Sequence, residues 1–135
     1  MSDLRIHRTT AERVQEILVG WVQGKRATDI EERFARALDK SLEIDSYEFQ
    51  PSYVAGRNLP GEIRLDFMVY AGLSYPFQLD GTYAHKTAQQ KYEDAIKDAI
   101  LDSILTPRGV QPVKRIPGDE LETQEEADEL VAELF

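Results

Sequence analysis

Two short stretches of alternating apolar and polar residues occupy the middle of the chain. In the first, Ile63, Leu65, Phe67 and Val69 alternate with Arg64, Asp66 and Met68; in the second, Tyr75, Phe77 and Leu79 alternate with Gln78 and Asp80. A period of two is the mark of a strand, because successive side chains point to opposite faces. Ala71-Gly72-Leu73-Ser74 supplies a hairpin connection between them. An earlier stretch, Tyr47 to Tyr53, reads as a strand interrupted by Pro51, which marks an edge or a strand end. Val110 to Ile116 reads as a fourth, short strand, and the breakers from Ala55 to Gly61 as a turn region.

Elsewhere the period is helical. Thr9-x-x-Glu12 is a capping box, followed by Val14, Ile17, Leu18, Trp21 and Val22 on one face and by Gly24 as a stop. Thr28-x-x-Glu31 opens a second helix with Ile30, Phe34, Ala37 and Leu38 on its apolar face, and Glu31 reads locally as its cap. Thr87-x-x-Gln90 opens a third and long helix. Its stripe is Tyr92, Ala95, Ile96, Ala99, Ile100, Ser103 and Ile104, and Pro107 and Gly109 end it. Its other side, with Lys91, Glu93, Asp94, Lys97, Asp98 and Asp102, reads as a solvated face. Thr123-x-x-Glu126 opens a last helix with Ala127, Leu130, Val131 and Leu134. The order of elements predicts an α/β fold with a mixed four-stranded sheet flanked by helices and an extra N-terminal helix.

Charge refines this picture. The net charge is −9, but residues 119–135 hold eight acids and no base, while the preceding residues hold 17 acids against 16 bases. The acidity therefore belongs to the outer face of the final helix, which offers a surface for a basic partner. The rest is near neutral, so charge alone neither requires nor excludes a DNA substrate. With no cysteine there is no disulfide, thiolate metal site or thiol nucleophile. No run is long and apolar enough to span a bilayer, so a cytoplasmic, soluble protein is expected.

The candidate chemistry lies on the hairpin. If the two strands pair, Asp66, Gln78 and Asp80 converge. Two carboxylates and an amide suit Mg²⁺ (or Mn²⁺), which takes oxygen ligands and keeps several waters. Zinc fits less well, since the only histidines are His7 and His85 and they are not at ligand spacing. His85, five residues after Asp80, stands where a neutral imidazole could take a proton from an attacking water. No phosphate-cradling glycine loop, dinucleotide fingerprint or nucleophile elbow is present.

Three segments together carry a resemblance: Gly61-x-x-x-x-Asp66-Phe67, Phe77-Gln78-Leu79-Asp80-Gly81-x-x-x-His85, and Gly109-x-x-Pro112-Val113-x-Arg115 after an amphipathic helix. The set resembles the very-short-patch-repair (Vsr)-like endonucleases of the PD-(D/E)XK superfamily, and most of all their small bacterial and phage relatives. Thr28-x-x-Glu31-x-x-Phe34 is similar to the family's glutamate motif on the helix ahead of the sheet, and Gln50 also fits. The resemblance implies a restriction-endonuclease-like domain over 27–135, with 1–26 as an N-terminal helical extension. It implies a Mg²⁺-dependent endonuclease that hydrolyses DNA phosphodiesters in a bacterial or phage-infected cell. Asp66 is then the principal metal ligand, joined by Asp80 and Gln78; His85 is the general base and Glu31 assists. Asp94 or Asp98 matches an acidic position on the following helix. Gln78 departs from the usual glutamate, and a neutral oxygen holds Mg²⁺ more weakly. The same departure supports an alternative: a nuclease-fold protein without catalysis that binds DNA or protein as an assembly module.

Overall fold

The computed structural model describes residues 17–54, 61–81 and 85–135. In chain order the elements are β1 (Trp21–Val22), β2 (Lys25–Arg26), α1 (Asp29–Lys40), β3 (Ser46–Phe49), β4 (Ser52–Val54), β5 (Glu62–Arg64), β6 (Phe67–Ala71), β7 (Leu73–Asp80), α2 (Ala88–Leu105), β8 (Lys114–Pro117) and α3 (Gln124–Leu134), with 3-10 turns at Thr106–Arg108 and Gly118–Leu121. Among the described residues the architecture is mixed α/β: three helices and a mixed four-stranded sheet in the order β3-β6-β7-β8. Pairing is antiparallel except between β7 and β8, which run parallel and are linked through α2.

The sheet is covered on both faces. On one, Phe34 of α1 meets Phe67 and Phe77 edge-on, with ring centroids 5.0 and 5.4 Å apart. Ala37 and Leu38 of α1 and Ala127 and Val131 of α3 complete that core. On the other face, Leu65 and Met68 pack with Leu101 and Leu105 from the last turns of α2. This explains why Met68, an apolar residue on what reads as the polar side of its strand, is buried.

Three elements differ from the sequence expectation. Trp21 and Val22 belong to a hairpin, β1–β2, and not to the end of a helix; the remainder of that expected helix, through residue 16, lies outside the described residues. Gln23 and Gly24 both have positive φ (49° and 77°), the backbone of a tight two-residue turn, so Gly24 reverses the chain where a helix stop was expected. Val22 joins the main core, and the Gln23 side chain covers the edge of β3 by accepting from Phe49 N–H (2.9 Å) and donating to Tyr47 C=O (2.8 Å). The alternation from Ile63 to Val69 is not one strand. It breaks at Leu65-Asp66 into β5, which pairs with β4, and β6, which pairs with β3 and β7. The matching break at Gln50 (φ 55°) and Pro51 separates β3 from β4.

The third difference concerns α2. Its acidic side faces the sheet, and the first part of its apolar stripe faces out, while Ile104 packs against the second core. Asp94 pairs with Lys86, Asp98 takes Arg115 in a two-pronged contact (3.0 and 2.8 Å), and Asp102 accepts from Val113 N–H at 2.8 Å. Tyr92, Ala95, Ile96 and Ala99 are exposed. By contrast, α3 lies as its pattern predicts, with Ala127 and Val131 buried and Glu125, Glu126, Glu129 and Glu133 on the outside.

Candidate functional site

One end of the sheet gathers the residues singled out from the sequence. There β7 ends at Asp80, β6 begins just after Asp66, and α1 presents its first turn. The capping box fixes that turn: Thr28 N–H and Oγ1 both donate to Glu31 Oε1, at 2.8 and 3.0 Å. Glu31 thus caps the helix, as its local pattern suggests, and it also lines a cavity with Asp66, Leu79 and Gly81. A second cavity, lined by Arg33, Asp80, His85, Gly118, Asp119 and Glu122, shares Ile30 and Gly81 with the first. Gly81 therefore stands between Asp66 and Glu31 on one side and Asp80 and His85 on the other.

Asp66 occupies the strand break. Its Oδ2 accepts from Leu79 N–H at 2.7 Å, and its own N–H donates to Gln78 Oε1 at 2.9 Å. Burial pushes the Asp66 carboxyl up to about 6. The bond from Leu79 opposes that shift, the charge of Glu31 adds to it, and Arg115 and Arg64 lower it. An acid lifted this far sits where small changes in nearby charge alter its protonation at neutral pH.

Gln78 is buried, and both ends of its amide are engaged, since Nε2 also donates to Arg64 C=O at 3.3 Å. Asp80, 3 % exposed in its side chain, pairs with Lys86 Nζ at 2.9 Å and lies 3.7 Å from Arg115. Lys86 bridges Asp80 and Asp94. Burial alone would lower its pKa, but the hydrogen bonds to Asp94 and Asp80 outweigh that and raise it. His85 is exposed at the mouth of the second cavity.

The sequence reading grouped Asp66, Gln78 and Asp80 as one ligand set. In the fold, Asp66 is grouped with Glu31, Gln78 supports the Asp66 backbone, and Asp80 is grouped with Lys86, Arg115 and Asp94. Among the described residues, no three histidine, aspartate or glutamate side chains form a cluster able to hold a metal ion. Lys86 and Arg115 are the participants that sequence reasoning did not assign. The only available signal was indirect: an acid on a buried strand needs a cation, and Lys86 is the first one after it in the chain.

Compared with protein-family models, with curated proteins and with solved structures, the chain matches none. Among the described residues no helix is long and apolar enough to cross a membrane.

Proposed function

We propose that the chain is a restriction-endonuclease-like, Mg²⁺-dependent hydrolase of DNA phosphodiesters. The observation that supports this reading is the gathering of Glu31, Asp66, Gln78, Asp80 and His85, from four separate elements and loops, around Gly81 at one end of the sheet. Asp66 and Glu31 are the pair that fits the metal. Two carboxylates at one open cavity are what Mg²⁺ uses when phosphate and water fill its other positions. Gln78 and Asp80 are not assigned to the metal in this reading, because the amide is committed to Asp66 and Arg64 and the carboxylate to Lys86 and Arg115. Bound Mg²⁺ would stabilise negative charge on the phosphate and on the leaving oxygen. Gln78 keeps Asp66 in place, Asp80 lines the second cavity and pairs with Lys86, and His85 takes the proton from the attacking water.

The test is plasmid nicking by purified protein with Mg²⁺ or Mn²⁺. Cleavage by the wild type and its loss in Asp66→Ala are expected; equal cleavage by both overturns the assignment. The second reading, a nuclease-like module that binds without cutting, draws on the ion pairing of Asp80 and the neutral Gln78. It is distinguished by retention of DNA or a basic partner in a wild type that does not nick DNA with either metal.

A further inference from the structure

The backbone from Arg64 to Asp66 is held from both sides. Leu65 N–H donates to Pro51 C=O (3.0 Å) and Gln50 N–H to Asp66 C=O (2.8 Å), while the Gln78 amide spans Arg64 C=O and Asp66 N–H. The Leu65 side chain between them is buried in the second core. Arg64 therefore projects from a fixed backbone beside Asp66, and it is exposed. In register it stands opposite Ser52, also exposed, at the end of the β4–β5 ladder nearest Asp66. Directly opposite residues share a face of the sheet, so a guanidinium and a hydroxyl lie side by side there. Among the described residues the Arg64 guanidinium makes no hydrogen bond and no ion pair. The other described arginines are engaged: Arg33 by Leu121 C=O, Arg36 by Glu32 and Arg115 by Asp98, with Arg26 and Arg108 over the rings of Trp21 and Tyr53. The charge of Arg64 nevertheless acts on the Asp66 carboxyl. A guanidinium that close to a carboxylate, closing no ion pair with it, keeps its fork of donors open.

We propose that Arg64 binds a backbone phosphate of the DNA strand that enters the Asp66–Glu31 cavity, with the Ser52 hydroxyl as a second donor. The proposal rests on the nuclease reading of that cavity and adds the residue that positions the strand in it. The planar guanidinium can give two parallel N–H bonds to two oxygens of one phosphate, which fixes direction as well as charge. Asp66 and Glu31 repel a phosphate on their own, and a cation anchored beside them offsets part of that repulsion. Contacts of this kind set the register of a strand without reading its sequence. The rest of the chain leaves this task to single residues. Residues 1–118 carry 17 acids against 16 bases, so no broad positive field draws the duplex in. Each well-placed base then carries a larger share of the affinity.

Fluorescence anisotropy of a labelled DNA duplex over a salt series tests this, with Ca²⁺, which also takes carboxylate oxygens, in place of Mg²⁺. Arg64→Ala should weaken binding by about three- to tenfold and lower the slope of log affinity against log salt by about one. Arg64→Lys keeps the charge and should recover the slope. Lys40→Ala removes an exposed base at the far end of α1, about 14 Å along the helix from Glu31, and should leave affinity and slope unchanged. Arg64→Ala with wild-type affinity and slope overturns the inference, as does an equal loss in Lys40→Ala. A wild type that does not bind the duplex overturns it outright. Plasmid nicking is read separately. If the wild type binds DNA without nicking it, the nuclease reading falls and the salt slope still decides the role of Arg64. If the wild type nicks DNA and Arg64→Ala binds as tightly, the Arg64 inference falls alone.

Discussion

The Gln78 side chain holds Asp66 by its backbone: Oε1 accepts from Asp66 N–H at 2.9 Å, and the amide nitrogen donates to Arg64 C=O at 3.3 Å. Gln78 thereby stitches the break between β5 and β6, and it sets where the Asp66 carboxylate can stand. A glutamine does this better than a glutamate, because the span needs one acceptor and one donor.

Gln78→Glu should expose that division of labour. One carboxylate oxygen still accepts from Asp66 N–H, but the other meets the Arg64 carbonyl, acceptor against acceptor, in a buried position. We expect a loss of about 2 kcal/mol in the absence of metal. The added charge also brings a third carboxylate to the Asp66 neighbourhood, so millimolar Mg²⁺ should raise the thermal midpoint of Gln78→Glu more than that of the wild type. Equal metal shifts in the two proteins would count against a metal held by Asp66.

Asp66 should make stability depend on pH. Its carboxyl is raised from 3.8 to about 6 in the folded protein, so the folded state binds this proton more tightly than the unfolded chain. Stability from this group is complete in acid and is lost as the pH rises through about 6. The cost at neutral pH is about 3 kcal/mol. Asp66→Asn retains an acceptor for Leu79 N–H and carries no charge, so it should unfold at higher denaturant than the wild type at neutral pH. The two should converge below the ordinary aspartate range. A mutant no more stable than the wild type at neutral pH contradicts the shift.

Lys86 should be a structural cation. Removing its charge in Lys86→Met takes one ion-pair partner from Asp80 and one from Asp94. A loss of about 1–3 kcal/mol is expected, read as a lower urea midpoint at unchanged slope. An unchanged midpoint would show that Asp80 and Asp94 are satisfied without Lys86.

Much of this arrangement was legible in the sequence. Thr-x-x-Glu/Gln patterns opening at Thr28, Thr87 and Thr123 mark the starts of all three described helices, as full capping boxes at the first two and a side-chain cap at the third, and the β6–β7 hairpin turns at Gly72, inside the expected connection. The orientation of α2 was not legible. A stripe such as Tyr92-Ile96-Ala99 reports that a helix has two sides, and only the partners decide which side turns in. Here Lys86 and Arg115, far apart in the chain, draw the acids inward. The break at Leu65-Asp66 was hidden for a related reason. Alternation continues through it, while the hydrogen bonding passes from β4 to β3 and β7. The grouping of Asp80 depended on the same two cations, so periodicity could place it on the correct face but not beside the correct neighbours.

Gly118 connects the sheet to the candidate site through a backbone contact. A Cβ at this position would lie 2.8 Å from Gly81 Cα and 3.1 Å from Asp80 O, and neither can swing aside because both are backbone atoms. Gly118→Ala must therefore push apart the ends of the parallel strands β7 and β8, at a cost of about 1–3 kcal/mol. Gly81 lines both cavities, so the displacement also moves the wall between the Asp66 side and the His85 side. The expected result is a lower thermal midpoint together with a loss of metal-dependent nicking measured well below that midpoint, where the variant is still folded. Gly118→Ala with wild-type nicking at that temperature would show that the two cavities do not act together, and would confine the chemistry to one side of Gly81.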